Sequence, residues 1–217
     1  TVLGCEPDFV YGDIYAFKSG NSGEVKDYIA NGINTYATIA SYSDTGSFED
    51  LYQTIREIGM IFKVEDRAET LVADLQARVE EVKRKSEGLN PVKVFVFDYD
   101  MENGTLYTTG GINIEDAMIR AAGGQNIFES LGTKFSEVSL EEIIAQEPEA
   151  VIINSYYTAE DGETKIAYMN ETVELSEVPA VVNQKYIVFN GLEVAGGLET
   201  ISALEELIEF LHPETAE

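Results

Sequence analysis

The chain of 217 residues is long enough to bury one large core or two smaller ones. Forty acidic residues against 14 basic ones give a formal net charge of -26, which removes nucleic acid from the candidate partners, because phosphate binding needs a basic face. A single cysteine excludes an internal disulfide and a thiolate cluster, and no apolar run reaches the roughly 18 residues of a membrane span.

In chain order, the first ten residues read as a helix end, a stop at Pro7, and a strand over residues 8–11. A helix over 24–30 and an apolar-polar run over 33–39 follow, then a polar loop over 41–46. Ser47 and Asp50 have capping-box spacing, so a helix starts there and runs to about Met60. After a short break, Ala68, Leu71, Val72, Leu75, Val79 and Val82 recur at spacings of three and four, with charged residues on the other face. This predicts one helix over 65–87, closed by Gly88 and roughly 36 Å long at about 1.5 Å per residue. Its narrow apolar stripe suits a strut laid between two units. From Pro91, residues 92–97 form a buried strand, 98–111 a loop, and 114–122 a helix with Glu115 and Asp116 in the first turn, where the dipole favours acids. A helix over 140–146, a strand over 151–154, a turn over 159–164, a strand over 186–189 and an amphipathic helix over 198–211 complete the chain. Alternating strands and helices imply mainly parallel sheets.

One pattern occurs twice. Residues 139–153 read Ser-Leu-Glu-Glu-Ile-Ile-Ala-Gln-Glu-Pro-Glu-Ala-Val-Ile-Ile, and aligning Pro7 with Pro148 sets Val2 and Leu3 against Ile143 and Ile144, and Val10 against Val151. Two such units far apart predict two similar α/β lobes. The position matching Glu141 falls one place before Thr1, so a preceding segment with the first strands of the first lobe is expected. The repeat sets Cys5 opposite Gln146 at an ordinary helix end, as a packed residue. The alternative, a lipid-carrying Cys in the box Val2-Leu3-Gly4-Cys5, would need a basic segment and an apolar run ahead of it.

The order strand, helix, strand, long helix, then Gly-Gly-Ile-Asn-Ile-Glu-Asp-Ala-Met-Ile-Arg-Ala-Ala-Gly-Gly-Gln-Asn-Ile over 110–127, the repeat at 139–153, and Ala-Leu-Glu-Glu-Leu-Ile-Glu-Phe-Leu-His-Pro-Glu over 203–214 resembles the iron-complex and cobalamin class of solute-binding proteins that serve ABC importers. The resemblance covers nearly the whole chain. It implies two α/β lobes with mainly parallel sheets joined by one long α-helix, here a partial first lobe over 1–63, the bridging helix over 64–90 and a second lobe over 91–217. It also implies a non-enzymatic, extracytoplasmic protein, periplasmic or lipid-anchored, that holds its ligand in the interlobe cleft. By the resemblance, Glu141 in the Ser-x-Glu motif is the acid that docks on permease arginines, while its first-lobe counterpart falls ahead of Thr1. A monomer is expected, with no resident cofactor or metal.

Ligand chemistry is expected from loops at strand ends. These hold Tyr11, Tyr15, Tyr42, Tyr99, Tyr107, Tyr156 and Tyr157, in a chain with 12 Tyr and no Trp. Tyr offers a flat apolar face and a polar tip, which suits a conjugated ligand or a ferric chelate. Arg56, Arg67, Arg78, Arg84 and Arg120 all fall on predicted helices, which disfavours a strongly anionic catecholate. A ferric siderophore or haem leads, and cobalamin follows. The alternative is a small-substrate α/β enzyme using carboxylates or tyrosines. The segment from Asp98 to Gly104 begins like a calcium loop, but its glycine is one place late and Thr109 stands where the loop requires Glu. The lone histidine, His212, reads as structural.

Overall fold

The computed structural model describes residues 2–156 and 158–215. Its centre is a four-stranded parallel sheet of β3 (Val92–Phe97), β6 (Gly124–Asn126), β8 (Ala150–Ser155) and β9 (Tyr186–Asn190), in the order β6-β3-β8-β9. Val-Lys-Val-Phe-Val-Phe and Ala-Val-Ile-Ile-Asn-Ser are near-continuous apolar runs because both faces of this sheet are covered. Val94, Val96, Ala150 and Ile152 point to one side, into a core shared with α3 (Phe48–Phe62), α4 (Glu65–Ser86), α5 (Ile114–Ala121) and α9 (Glu199–Leu211). Phe95, Phe97, Val151 and Ile153 point to the other, under α6 (Leu140–Gln146), α7 (Ala159–Glu171) and α8 (Pro179–Val182).

The N-terminal part is smaller. β1 (Phe9–Gly12) and β2 (Asn34–Ala37) form a two-stranded parallel sheet, with α1 (Val25–Ala30) packing Tyr28 against Phe17 and Ile33. The sequence repeat has a backbone counterpart. Glu6 and Glu147, the residues before the two aligned prolines, both adopt left-handed φ, 47° and 52°. In each copy a short helical segment, Val2–Cys5 or α6, ends in that residue and the chain turns into a parallel strand.

The long helix α4 runs unbroken for 22 residues and buries Ala68, Val72, Leu75, Val79 and Val82. It touches α3 on one side and α5 and α9 on the other. Arg78 clamps it to α9 by a two-pronged pair with Glu205, Nε to Oε1 at 2.8 Å and a terminal nitrogen to Oε2 at 2.7 Å. Leu71, expected in the buried stripe, is exposed, because it sits at the edge of an apolar groove with Tyr11 and Phe62 instead of beneath a helix. The capping box of Ser47 and Asp50 forms as predicted and starts α3. Just before it, Gly46 at φ +53 presses the N-terminal loop onto the segment ahead of α5. A Cβ there would stand 2.4 Å from the Ile112 carbonyl carbon.

Three expectations are corrected. The loop predicted over 98–111 contains β4 (Tyr99–Asp100) and β5 (Thr105–Thr109), which join β7 (Phe135–Ser139) in an antiparallel sheet. Asn103 and Gly104 make the hairpin turn that the calcium-loop reading had in view, with Met101 N–H donating to the Thr105 carbonyl. The turn predicted over 159–164 is the first half of α7. Gly162 lies within that helix, where it faces Val188, and Ile166 and Met169 pack the helix onto the sheet. Cys5 is exposed, carried at the end of a short 3-10 turn with no buried residues.

Candidate functional site

The loops that follow β3, β8 and β9 open at one edge of the parallel sheet, where open α/β sheets place their clefts. Asp98 and Tyr99 leave β3, Tyr156 leaves β8, and Gly191, Val194 and Ala195 follow β9. Facing them are Asp13 and Tyr15 after β1, and Ala40 and Ser41 from α2 (Ile39–Tyr42). Tyr107, Asn113, Lys134 and Phe135 close the side. Together they enclose a cavity of about 440 Å³, within the range of roughly 300–1,000 Å³ for small-molecule sites.

Of the tyrosines singled out from sequence, Tyr15, Tyr99, Tyr107 and Tyr156 line this cavity. Tyr99 and Tyr156 stack on one another, with ring centroids 5.4 Å apart and an interplanar angle of 10°. Tyr107 stacks on Phe135 at 5.9 Å and 16°. The cavity wall is therefore built of paired flat rings. Tyr11 is placed elsewhere. It stacks on Tyr36 and lines a separate apolar groove with Phe9, Phe62 and Leu198. Tyr42, the last residue of α2, is exposed and does not line the cavity. Tyr157 lies outside the described residues. Glu141 is exposed in the first turn of α6, while its neighbour Glu142 is consumed in the capping box with Ser139.

Sequence reasoning missed the polar floor of the cavity. Asn154, at the end of β8, donates its amide to Glu115 Oε1 at 2.9 Å and Asp98 Oδ1 at 3.1 Å. Tyr156 hydroxyl donates to the same Asp98 oxygen at 2.6 Å, and Thr109 hydroxyl donates to Glu115 Oε2 at 2.5 Å. Two buried carboxyls thus share one amide. Burial, reinforced by the Asp98 charge, pushes Glu115 up to about 7. Burial also raises Asp98, against the opposing bonds from Tyr156 and Asn154. Tyr156 is driven far above the usual phenol range by burial and by the nearby Glu115 and Asp98 charges, so it stays a neutral donor, not a phenolate. Lys165 on α7 lies beneath this floor. Its ammonium donates to the Asn154 carbonyl at 2.5 Å and Asp161 at 3.2 Å, and sits 5.2 Å from the Tyr99 ring centroid. Read from sequence, Glu115 was one of two acids complementing a helix dipole. Nothing in its spacing marks it as facing Asp98, because the pairing depends on β3, β8 and α5 converging.

The predicted helical placement of the arginines holds at Arg56, Arg67, Arg78, Arg84 and Arg120, none of which lines the cavity. His212 is buried, with Nε2 3.0 Å from the Gly123 carbonyl, where it ties the C-terminus to the turn after α5.

A profile described as periplasmic binding protein matches residues 1–190. The chain belongs to the periplasmic binding protein family. Among curated relatives, the vitamin B12-binding protein of Pectobacterium carotovorum is 24% identical over 154 residues, covering 70% of this chain and 52% of that protein. An uncharacterized ABC transporter substrate-binding lipoprotein of Bacillus subtilis is 24% identical over 216 residues, covering 99% of this chain and 65% of its own length. The chain spans about half the length of the first curated relatives it matches. In fold, it is similar to the apo form of the periplasmic haem-binding protein from Roseiflexus sp. RS-1. The TM-score is 0.80 at 22% identity, over 99% of this chain and 79% of that one.

Proposed function

We propose that this chain is the ligand-holding part of an extracytoplasmic solute-binding protein that captures a metal complex in its cleft and delivers it to an ABC importer permease. A haem or ferric siderophore is the leading ligand and cobalamin the next. The observation that carries this reading is the cavity wall. Two pairs of stacked rings, Tyr99 with Tyr156 and Tyr107 with Phe135, border a space of about 440 Å³ between N-terminal loops and the strand-end loops of the parallel sheet. Flat rings with polar tips suit a rigid conjugated or chelated ligand. The names of the relatives support a metal-complex ligand and an importer. A partial first lobe over 1–63, a bridging helix over 64–90 and a second lobe over 91–217 are part of this reading, as is a monomer.

The enzyme alternative gains one observation, the convergence of Asp98 and Glu115. It is weakened by their placement. Glu115 is buried behind Asn154 and Thr109 and does not line the cavity. The Oδ1 of Asp98 is occupied by Tyr156 and Asn154. Of the two, only Asp98 reaches the cavity wall, so Glu115 does not stand beside it there as an acid/base partner.

Delivery is assigned to Glu141, exposed on α6 and free to meet a basic partner. A charge pair across such an interface governs docking rate and register more than the fold. Titration with haemin, ferrioxamine B and cyanocobalamin, followed by visible absorption, tests the binding reading. Saturable one-to-one binding of at least one is expected. Binding of none would refute it.

A further inference from the structure

Lys134 is the single cation on the cavity wall among the described residues, and its surroundings are unusual for so acidic a chain. Its ammonium donates once, to the Ala40 carbonyl at 2.7 Å, across 94 residues of sequence. Asp50 and Asp44 are near enough to favour its charge but make no ion pair with it, and burial holds its pKa below the usual lysine range. An ammonium carries three donors. Two of them therefore have no partner among the described residues, on a side chain partly withdrawn from water.

The position is also firmly held. The Lys134 carbonyl accepts from Gly110 N–H at 2.9 Å and from Asn113 Nδ2 at 3.3 Å. Gly111 N–H donates to the Leu131 carbonyl at 2.9 Å. This seam closes only because both residues lack a side chain. A Cβ at Gly110 would lie 2.2 Å from the Thr133 oxygen, and one at Gly111 1.9 Å from the Glu129 oxygen. The next residue, Phe135, carries the ring that stacks on Tyr107, so the free donors lie beside a flat apolar wall.

We propose that Lys134 is a specificity-determining residue that binds an anionic oxygen, a carboxylate or its equivalent, carried by a flat ligand seated against Tyr107 and Phe135. This rests on the binding reading above and narrows it. The cleft takes a conjugated ligand with an acidic substituent, while a ligand that offers only cationic or neutral groups to Lys134 leaves two half-buried donors unpaired by the ligand. A partly buried ammonium that already spans to Ala40 brings the anion to the junction of the two halves of the cleft.

The test compares two probes on wild type, Lys134→Met and Lys134→Arg, with melting temperatures measured alongside. Haemin carries two carboxylates, and ferrioxamine B is a cation without one. For wild type, haemin binding is expected, with Lys134→Met weakening it at least tenfold and Lys134→Arg by less than about threefold. Ferrioxamine B, where it binds, should change less than about threefold in either variant. Unchanged haemin affinity in Lys134→Met overturns the proposal. So does an equal loss for both probes, which would mark Lys134 as only a brace to Ala40. Wild type that binds ferrioxamine B and not haemin overturns it while leaving the binding reading intact. Wild type that binds neither, nor cyanocobalamin, removes the binding reading itself and this proposal with it.

Discussion

Glu115 gives the cleft floor a measurable dependence on pH. Its carboxyl is fully buried, and burial with the Asp98 charge pushes it from the usual 4.5 up to about 7. In the unfolded chain it titrates near its usual value. Between those two points the folded state keeps a proton that the unfolded state has released, so stability falls as pH rises through the window and stays low above it. One pKa unit corresponds to about 1.4 kcal/mol, which makes the full effect about 3 kcal/mol. Glu115→Gln removes the ionisation and keeps the shape. The new carbonyl accepts from Asn154 in place of Oε1, and the new amide meets Thr109 in place of Oε2. Groups away from this cluster titrate equally in both proteins, so the difference between them reports Glu115 together with its coupling to Asp98. The variant should match wild type or fall slightly below it near pH 4.5, and gain on it by about 2–3 kcal/mol by pH 8. For a chain of this size that is roughly 4–12 °C in melting temperature. Urea unfolding at half-unit pH steps on both proteins measures it. A stability difference that stays constant from pH 4.5 to 8 would refute the reasoning.

Tyr107→Ala and Tyr156→Ala should each weaken ligand binding by about 1–3 kcal/mol in calorimetry, since each ring faces the cavity. Tyr42→Ala, exposed and away from the wall, is the matched control and should leave affinity unchanged. Gly111→Ala should destabilise the fold by about 3 kcal/mol or more by denaturant titration, because its Cβ would stand 1.9 Å from the Glu129 oxygen. Glu141→Lys should retain ligand affinity and lose permease-stimulated uptake, with Glu141→Ala falling between. Normal uptake by the charge-reversed variant would show that the exposed acid on α6 has another role.

The periodic elements were legible in the sequence, because local pattern alone determines them. The stripe of α4, the capping box at Ser47 and the burial of β3 each follow from spacing or composition. The prolines at 7 and 148 located two matching strand entries, and the residues before them, Glu6 and Glu147, share a left-handed φ. Elements that depend on distant partners were not legible. β5 is a strand because β7 pairs with it, and the polar segment 135–139 carried no strand signal of its own. α7 tolerates Gly162 because Val188 fills the space beside it. At the site, Tyr15, Tyr99, Tyr107 and Tyr156 from the sequence reading come together on the cavity wall, whereas Tyr42 stays off it and the strand of Tyr11 turns that ring towards a different groove. Glu115, Asn154 and Lys134 were unremarkable in sequence. Their character comes from burial and from partners 39 to 94 residues away.

The binding account is tested most directly by identifying what the protein carries when isolated from its own organism. Native mass spectrometry, with a visible absorption spectrum of the same sample, reports the bound species. One metal complex per protein is predicted, recovered chemically unchanged after incubation, and lost from Tyr156→Ala in proportion to its weakened affinity. A metal-free small molecule that is converted to product on incubation, or a metal complex retained in full by Tyr156→Ala and Tyr107→Ala, would contradict it.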